Sequence, residues 1–571
     1  PKLWKPSRRK YWRAYISPEK KGKNGMIKSE IRRKRWDLCI SLIGLFTIGL
    51  LSNVIKKDGI ADFSFTYELF AVISSLFLCW LPEYLFRMIR SRMTKEQFKN
   101  AGKVWKTMFV YAAVIGVLGS LFFYILSKIM ENHRGFLGEY TYLAMRSFAI
   151  VFLLSSFVQV FYGYFQGMGT GMPKLLSGVL LQILGIPFIL LFARKEYTYG
   201  EKVGKLLQND SLAGNYGSMG AVRGYLLMYG LMLLFLVLLY LLFLKRNKRS
   251  KEGLRLSEDG RDILVNAVKI EWTGALTRML LSGFVFTGLL LFYRVSRSIP
   301  AVSAAESSAY TEFSDFGIYY GNFLVLMGME TLILLMLTVP ARLEWVQAYR
   351  KEEKRNMQQL GSVSVLTLFL YGFFFTAYNA VIPGCLAETF FGKGEHTLLV
   401  LMLRAGCLLP LFLASGIFFL YILRDTGRQK MALLCTLGAF AGFVLTVSVC
   451  LKSMNGNVMA LVVGTLVFSV VLALSTALLV HRYMVIRIEW VRMVLMPLIS
   501  AGLTAGALFA LTKAMTSLSV GFLALLISLI VGFLLYVFLL LFLRCIRKKD
   551  LVCFPLGKII GKVANRTNLL S

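Results

Sequence analysis

Runs of about twenty apolar residues, the length an α-helix needs to cross a hydrocarbon core, recur from Trp36 almost to Arg544. Short breaks rich in charge, proline or glycine separate them. A backbone in lipid has no water to bond, so only helices or closed barrels span it, and the apolar residues here are continuous rather than alternating. The chain is therefore expected to be an all-α polytopic membrane protein. Composition agrees: 57% of the 571 residues are hydrophobic and 17% charged, with a mean hydropathy of +0.65, more apolar than a water-soluble domain of this size can cover.

Cutting at the breaks predicts fourteen spans, near 36–54, 64–86, 104–128, 141–165, 173–193, 218–244, 270–293, 318–341, 360–384, 397–423, 430–451, 458–480, 491–513 and 519–543. The first 35 residues are basic and carry no apolar core, so they read as a cytoplasmic arm before a retained first span rather than a cleavable signal. The eight cysteines form no CxxC pair and read as small apolar packing residues.

A net charge of +35 raises the question of nucleic acid, but lysine and arginine pile up on every second connection. The positive-inside rule accounts for that alternation, and nucleic acid is not an expected partner. The arm, the 87–106 turn, the 245–261 link, the 342–355 turn and the Arg544–Lys549 tail fall on one side, which is assigned to the cytoplasm with both termini. Attraction of these turns to anionic lipid headgroups is a compatible addition. The opposite connections, of which 194–217 and 294–317 are the longest, are too short for a folded extracytoplasmic domain.

An internal repeat shows at an offset of 258 residues, which separates Pro82 from Pro340, Leu85 from Leu343, Arg92 from Arg350 and Arg146 from Arg404. The same offset sets the turn FQGMGTGMPKLL (165–176) on LRDTGRQKMALL (423–434), Gly169 on Gly427. Pro82 and Pro340 are read as ending the second and eighth spans. The repeat predicts an N-lobe over 36–245, a cytoplasmic linker over 246–261, a C-lobe over 262–482, an extra helix pair over 483–543 and a basic tail over 544–571. Even spans fall on even spans, so the lobes are parallel repeats, the geometry of rocking about a central cavity.

Charge deep in a span is costly and marks a cavity or a partner. Arg146 and Arg404 are the foremost candidates, because the repeat gives them equivalent places and two guanidiniums make a bidentate clamp for a phosphate or pyrophosphate. The alternative is that each ties its helix to a neighbour. Arg278, with Glu271 seven residues earlier, either completes an anion site or snorkels. Glu330, mid-span in LVLMGMETLILL, suits a coupling proton, a share of a sodium site or a structural hydrogen bond; Asp37 and Glu68 are further ion-coupling candidates. Glu83 precedes Arg87 by four residues and is expected to pair with it. Gln159, Tyr162 and Gln166 either line a sugar path or bridge helices. Seven prolines at or within spans, Pro82, Pro187, Pro300, Pro340, Pro383, Pro410 and Pro497, predict kinks.

His133, His396 and His481 lie at span edges without a metal-binding pattern, and no GxxxxGK[ST] loop occurs. No cofactor is expected beyond a coupling H+ or Na+, and the chain is not expected to be an enzyme. The stretches RSRMTKEQFKNAGKVWKTMFVYAAVIGVLGSLFFYILSKIM (90–130) and YGYFQGMGTGMPKLLSGVLLQILGIPF (162–188), with Arg146 between them, resemble the multidrug/oligosaccharidyl-lipid/polysaccharide exporter superfamily. The resemblance is greatest to its polysaccharide flippase, lipid II flippase and stage V sporulation protein B-like branches. It implies two six-helix lobes, an amphiphile-binding cavity lined by Arg146, Arg278 and Arg404, and a bacterial plasma membrane; fourteen spans point to the lipid II or sporulation type.

The leading expectation is a flippase for a polyprenyl-pyrophosphate saccharide used in envelope assembly, with envelope-biosynthesis proteins as possible partners. A drug or organic-cation antiporter is the second, favoured by the carboxylates Glu330, Asp37 and Glu68. A membrane enzyme wants larger loops than these, and a non-transporting scaffold would work through its basic turns alone.

Overall fold

The computed structural model describes residues 23–132, 141–209, 211–246, 258–298, 307–392, 394, 396–484, 489–515 and 521–547. The arm before residue 23, the tail beyond 547, most of the 245–261 link, His133 and Pro300 lie outside them. Every regular element among the described residues is helical. In order they are α1 (Lys23–Phe77), α2 (Leu81–Thr94), α3 (Phe98–Asn132), α4 (Thr141–Gly167), α5 (Met172–Leu207), α6 (Ser211–Arg246), α7 (Gly260–Ser298), α8 (Phe313–Arg350) and α9 (Lys354–Val381). Then come α10 (Pro383–Phe391), α11 (Thr397–Ala405), α12 (Leu409–Asp425), α13 (Gln429–Ser453), α14 (Met459–Met484), α15 (Val491–Lys513) and α16 (Gly521–Phe542).

Twelve helical stretches are long and apolar enough to cross a membrane, and α11 with α12, bent by 49°, makes a thirteenth. One of the twelve, Glu30–Thr94, has 65 residues. At 1.5 Å per residue it measures about 98 Å, far more than a bilayer core of about 30 Å. It breaks at Lys56, whose φ of 56° and ψ of −176° turn the chain, and its two arms bring the count to about fourteen.

Helices overrun the predicted spans. The 194–217 connection is not a loop: α5 continues to Leu207, Gln208 turns the chain with a left-handed φ of 53°, and α6 begins at Ser211. Outside the hydrocarbon a helix still satisfies its own backbone, so nothing forces it to stop where the apolar run does. Nor do both repeat prolines end a span. Pro82 opens α2 after a turn in which the amides of Leu78 and Cys79 both donate to the Ser74 carbonyl, whereas Pro340 is carried inside α8. At the first helical turn a missing N–H costs nothing.

The chain divides into two compact units, one of residues 1–44 and 54–286, the other of 45–53 and 287–571. In the first, α5 packs along α6, α4 lies against α3 and α6, and α2 lies against α4. The α5–α6 contact is made by glycines: a Cβ on Gly200 would stand 2.9 Å from the Ala213 Cα, and one on Gly224 would overlap the Ile189 Cα. Small residues bring backbones together where no water drives association. In the second unit, α14 packs on α12 and α13, α8 on α9 and α12, and α15 on α9. The last helix is tied to α9 by Tyr536, whose hydroxyl donates to the Leu370 carbonyl at 2.7 Å, and by the Tyr378 hydroxyl on the Leu525 carbonyl at 3.3 Å.

The repeat survives at atomic detail. After α4, Gly169 N donates to the Gln166 carbonyl and Thr170 N to that of Phe165; after α12, Gly427 N donates to Arg424 and Arg428 N to Leu423, the counterpart of Phe165. Both pairs form the 6→1 and 5→2 bonds of a Schellman turn, with Gly169 (φ 85°) and Gly427 (φ 83°) in the left-handed position. The turns after α2 and α8 also match, but through Glu96 (φ 60°) and Glu352 (φ 58°), an offset of 256 residues. Arg92 is therefore the structural counterpart of Ala348 rather than Arg350. Alanine at Gly169 or Gly427 is expected to cost about 1 kcal/mol, because a Cβ is disfavoured at positive φ; thermal unfolding of purified protein measures it.

Candidate functional site

The first unit buries a carboxylate that the span boundaries leave in a loop. Beyond the break at Lys56, α1 resumes as a helix and turns Asp62 inward, 2% exposed. Its two oxygens accept hydrogen bonds from Thr141 Oγ1 on α4 and Ser218 Oγ on α6. Aromatic rings stand beside it: Phe63 stacks on Tyr225 at 5.9 Å and on Tyr67 at 5.4 Å, and Phe70 meets Phe148 at 5.4 Å. Hydroxyl donors and rings supply no positive charge. A buried anion without a countercharge costs several kcal/mol, so an ionised carboxylate here calls for a proton or a cation to neutralise it.

The second unit holds a similar group. Glu330 on α8 is 9% exposed, and its Oε2 accepts a 2.7 Å hydrogen bond from Asn379 Nδ2 on α9. Its described side-chain partner is again neutral. One turn from the break in α1, Ser52 donates to Asn322 Oδ1 at 2.6 Å within the same unit.

The arginines proposed from sequence are placed otherwise. Arg146 pairs with Glu131 at 2.8 Å, a carboxylate that also takes Lys128 at 3.3 Å, and lies 5.8 Å from the Tyr142 ring centroid. Arg278 pairs with Glu83 at 3.0 Å, and Lys34 reaches that carboxylate at 3.8 Å. Arg404 is exposed in the last turn of α11, immediately before the 49° bend. The expected Glu83–Arg87 ion pair does not form: Arg87 Nε reaches the backbone carbonyl of Glu83, not its carboxylate, and Nη2 pairs with Glu271. Spacing of four residues on one helix lost to carboxylates and guanidiniums brought face to face by α7. Arg92 pairs with Glu258 in the same way.

Asp37 is paired with Lys174 at 2.6 Å. Lys174 also lies over the Tyr162 ring, and Tyr162, buried, shares a 3.2 Å hydrogen bond with Ser177. Gln166 is buried, and Gln159 and Glu68 are half-buried. Sequence reasoning missed Asp62, Asn379 and Lys174. For Asp62 a signal existed: the 55–63 break ends at Ala61–Asp62–Phe63, and a span begun two residues earlier includes the acid.

No family model and no curated protein matches the chain. Solved structures do. An inward-facing multidrug resistance MATE family transporter of the MOP superfamily aligns with a TM-score of 0.60 at 17% identity, covering 78% of this chain and 95% of that one. A MOP superfamily transporter from Pyrococcus furiosus, described as having a binding pocket of reversed polarity, aligns with a TM-score of 0.57 at 16% identity, covering 80% and 96%. An outward-facing MATE family transporter aligns at 0.53 and 16%, covering 79% and 98%. The chain is thus a multi-pass helical membrane protein of two lobes. Its fold is the one these MOP superfamily transporters share.

Proposed function

We propose that this protein is an ion-coupled exporter of amphiphilic organic cations that works by alternating access in the plasma membrane, with both termini in the cytoplasm. The observation that carries the reading is one buried carboxyl group in each unit, Asp62 and Glu330, held by neutral donors. Such a group has two states, neutralised by a proton or metal ion, or by a cationic substrate, and exchange between them is the chemistry of antiport. The engagement of Arg146 and Arg278 by Glu131 and Glu83 weighs against an open pyrophosphate clamp. The likeness to structures described as multidrug resistance transporters adds to the same side.

A flippase for a lipid-linked saccharide is the second reading, favoured by exposed Arg404 and by a last helix pair anchored on α9. Proteoliposomes separate the two. An imposed proton or sodium gradient is expected to drive uptake or release of tetraphenylphosphonium, with no movement of a fluorescent polyprenyl-pyrophosphate saccharide. Movement of the lipid alone gives the flippase reading and sinks the antiporter.

A further inference from the structure

At the end of α8 and α12 in the second unit lies a cluster that ion coupling does not use. Arg342 is eight residues inside the end of α8, more than two turns, and its side chain is 7% exposed. Its guanidinium lies over the Tyr421 ring, 4.7 Å from the centroid, and that of Arg424 approaches the same ring at 5.9 Å. Arg350 donates to the Asp425 backbone carbonyl at 2.8 Å, and Arg428 lies 3.3 Å over the Tyr483 ring. The carboxylate beside Arg342 is that of Asp425. Its Oδ2 stands 3.8 Å from Arg342 Nε, too far for a hydrogen bond, and that buried Nε donates none.

Helix capping explains part of this. Arg350 and Arg424 sit in the last turns of α8 and α12, where the carbonyl end of a helix favours cations. The effect fades within the last turn, so it does not reach Arg342. The repeat supplies a control from the same chain. Counted from the paired prolines, the place of Arg342 is taken in the first unit by Tyr84, buried, with its hydroxyl on the Ile263 carbonyl at 3.2 Å. Counted from the paired turns it is Phe86, itself neutral, with the Arg33 and Arg90 guanidiniums 4.2 and 5.7 Å from its ring centroid. The places of Tyr421 and Asp425 are Gly163 and Gly167, closed against Leu85 and Ile89. At the places of Arg342, Tyr421 and Asp425 the first unit thus carries neutral residues in close packing, so a buried guanidinium at position 342 is not a requirement of the fold.

We infer that Arg342, Arg424, Arg350 and Arg428 form a site for a phosphate group, that of an anionic phospholipid headgroup at the membrane surface. Planar guanidiniums match phosphate oxygens bidentately and are cheaper to desolvate than ammonium groups. The cluster sits where apolar spans meet the basic 342–355 turn, the depth of a headgroup. Soluble phosphate offers the same oxygens without the acyl chains that would lie along α8 and α12.

Native mass spectrometry of the full chain, exchanged into equimolar phosphatidylglycerol and phosphatidylcholine, tests the site. Phosphatidylglycerol is expected to be retained preferentially, with a loss of about fivefold for each arginine removed in Arg342→Gln and in the rim variant Arg350→Gln/Arg428→Gln. Asp425→Asn removes the competing carboxylate and is expected to raise retention. A purely structural Asp425–Arg342 pair predicts instead lower thermal stability with retention unchanged. Equal retention of both lipids by the parent, or a preference that survives the rim variant, overturns the site even if Arg342→Gln fails to fold. Displacement by millimolar inorganic phosphate with no lipid retained overturns the headgroup and leaves soluble phosphate as the ligand.

Discussion

Asp62→Asn and Glu330→Gln are each expected to reduce gradient-driven efflux of tetraphenylphosphonium by roughly tenfold or more, with the amount of folded protein in the membrane unchanged. The substitutions preserve shape. At position 62 one of Thr141 and Ser218 can donate to the amide oxygen while the other turns its hydroxyl to accept from the amide nitrogen, and Asn379 can donate to the amide oxygen at position 330, so the packing around each group is retained. What is removed is the capacity to take up and release a cation or proton in a buried place. Reconstituted protein under an imposed gradient reports the coupled rate, and exchange of substrate without a gradient reports the uncoupled one. Loss of the first with survival of the second identifies a coupling group. If Asp62 and Glu330 are permanently protonated hydrogen-bonding residues, the amides will reproduce them and coupled efflux will be unchanged, which would end the antiport reading.

The second large effect is structural. Gly224→Ala is expected to destabilise the protein by about 1–3 kcal/mol, because its Cβ has no room against the Ile189 backbone and the α5–α6 pair must open. Gly230 lies on the same helix, and a Cβ added there would meet nothing within 4 Å, so Gly230→Ala is the matched control. Both changes bring the same gain in helix propensity, roughly 1 kcal/mol relative to glycine. Their difference in thermal unfolding isolates the overlap. Equal melting temperatures would show that α5 and α6 do not pack through these glycines.

The structural sense of individual charges was the least legible part of the sequence. Arg278 was visible as a costly charge within a span, but its partner Glu83 lies 195 residues away and no spacing announces it. The nearer pairing of Glu83 with Arg87 follows correctly from helical geometry and still loses, because α7 delivers Glu271 to Arg87 and Arg278 to Glu83. Asp62 was hidden by the habit of cutting spans at charges. The helix runs on through 57–77 and the acid is turned inward to residues of α4 and α6. By contrast the Gly169 and Gly427 turns were legible, since a glycine just beyond an apolar helix is itself the signature of a left-handed cap.

The sequence by itself determined that the chain crosses a membrane many times as helices, and that its halves repeat. Each crossing satisfies its own backbone hydrogen bonds and needs only about twenty apolar residues in a row, so its existence is a local property. The repeat is likewise written in order along the chain. Which carboxylates are held by neutral donors, which arginines are neutralised and where Arg342 and Arg350 meet Asp425 were decided only by the tertiary structure. Each of those outcomes depends on groups carried by different helices, and a charge in low dielectric takes its meaning from whatever the packing brings within a few ångströms of it.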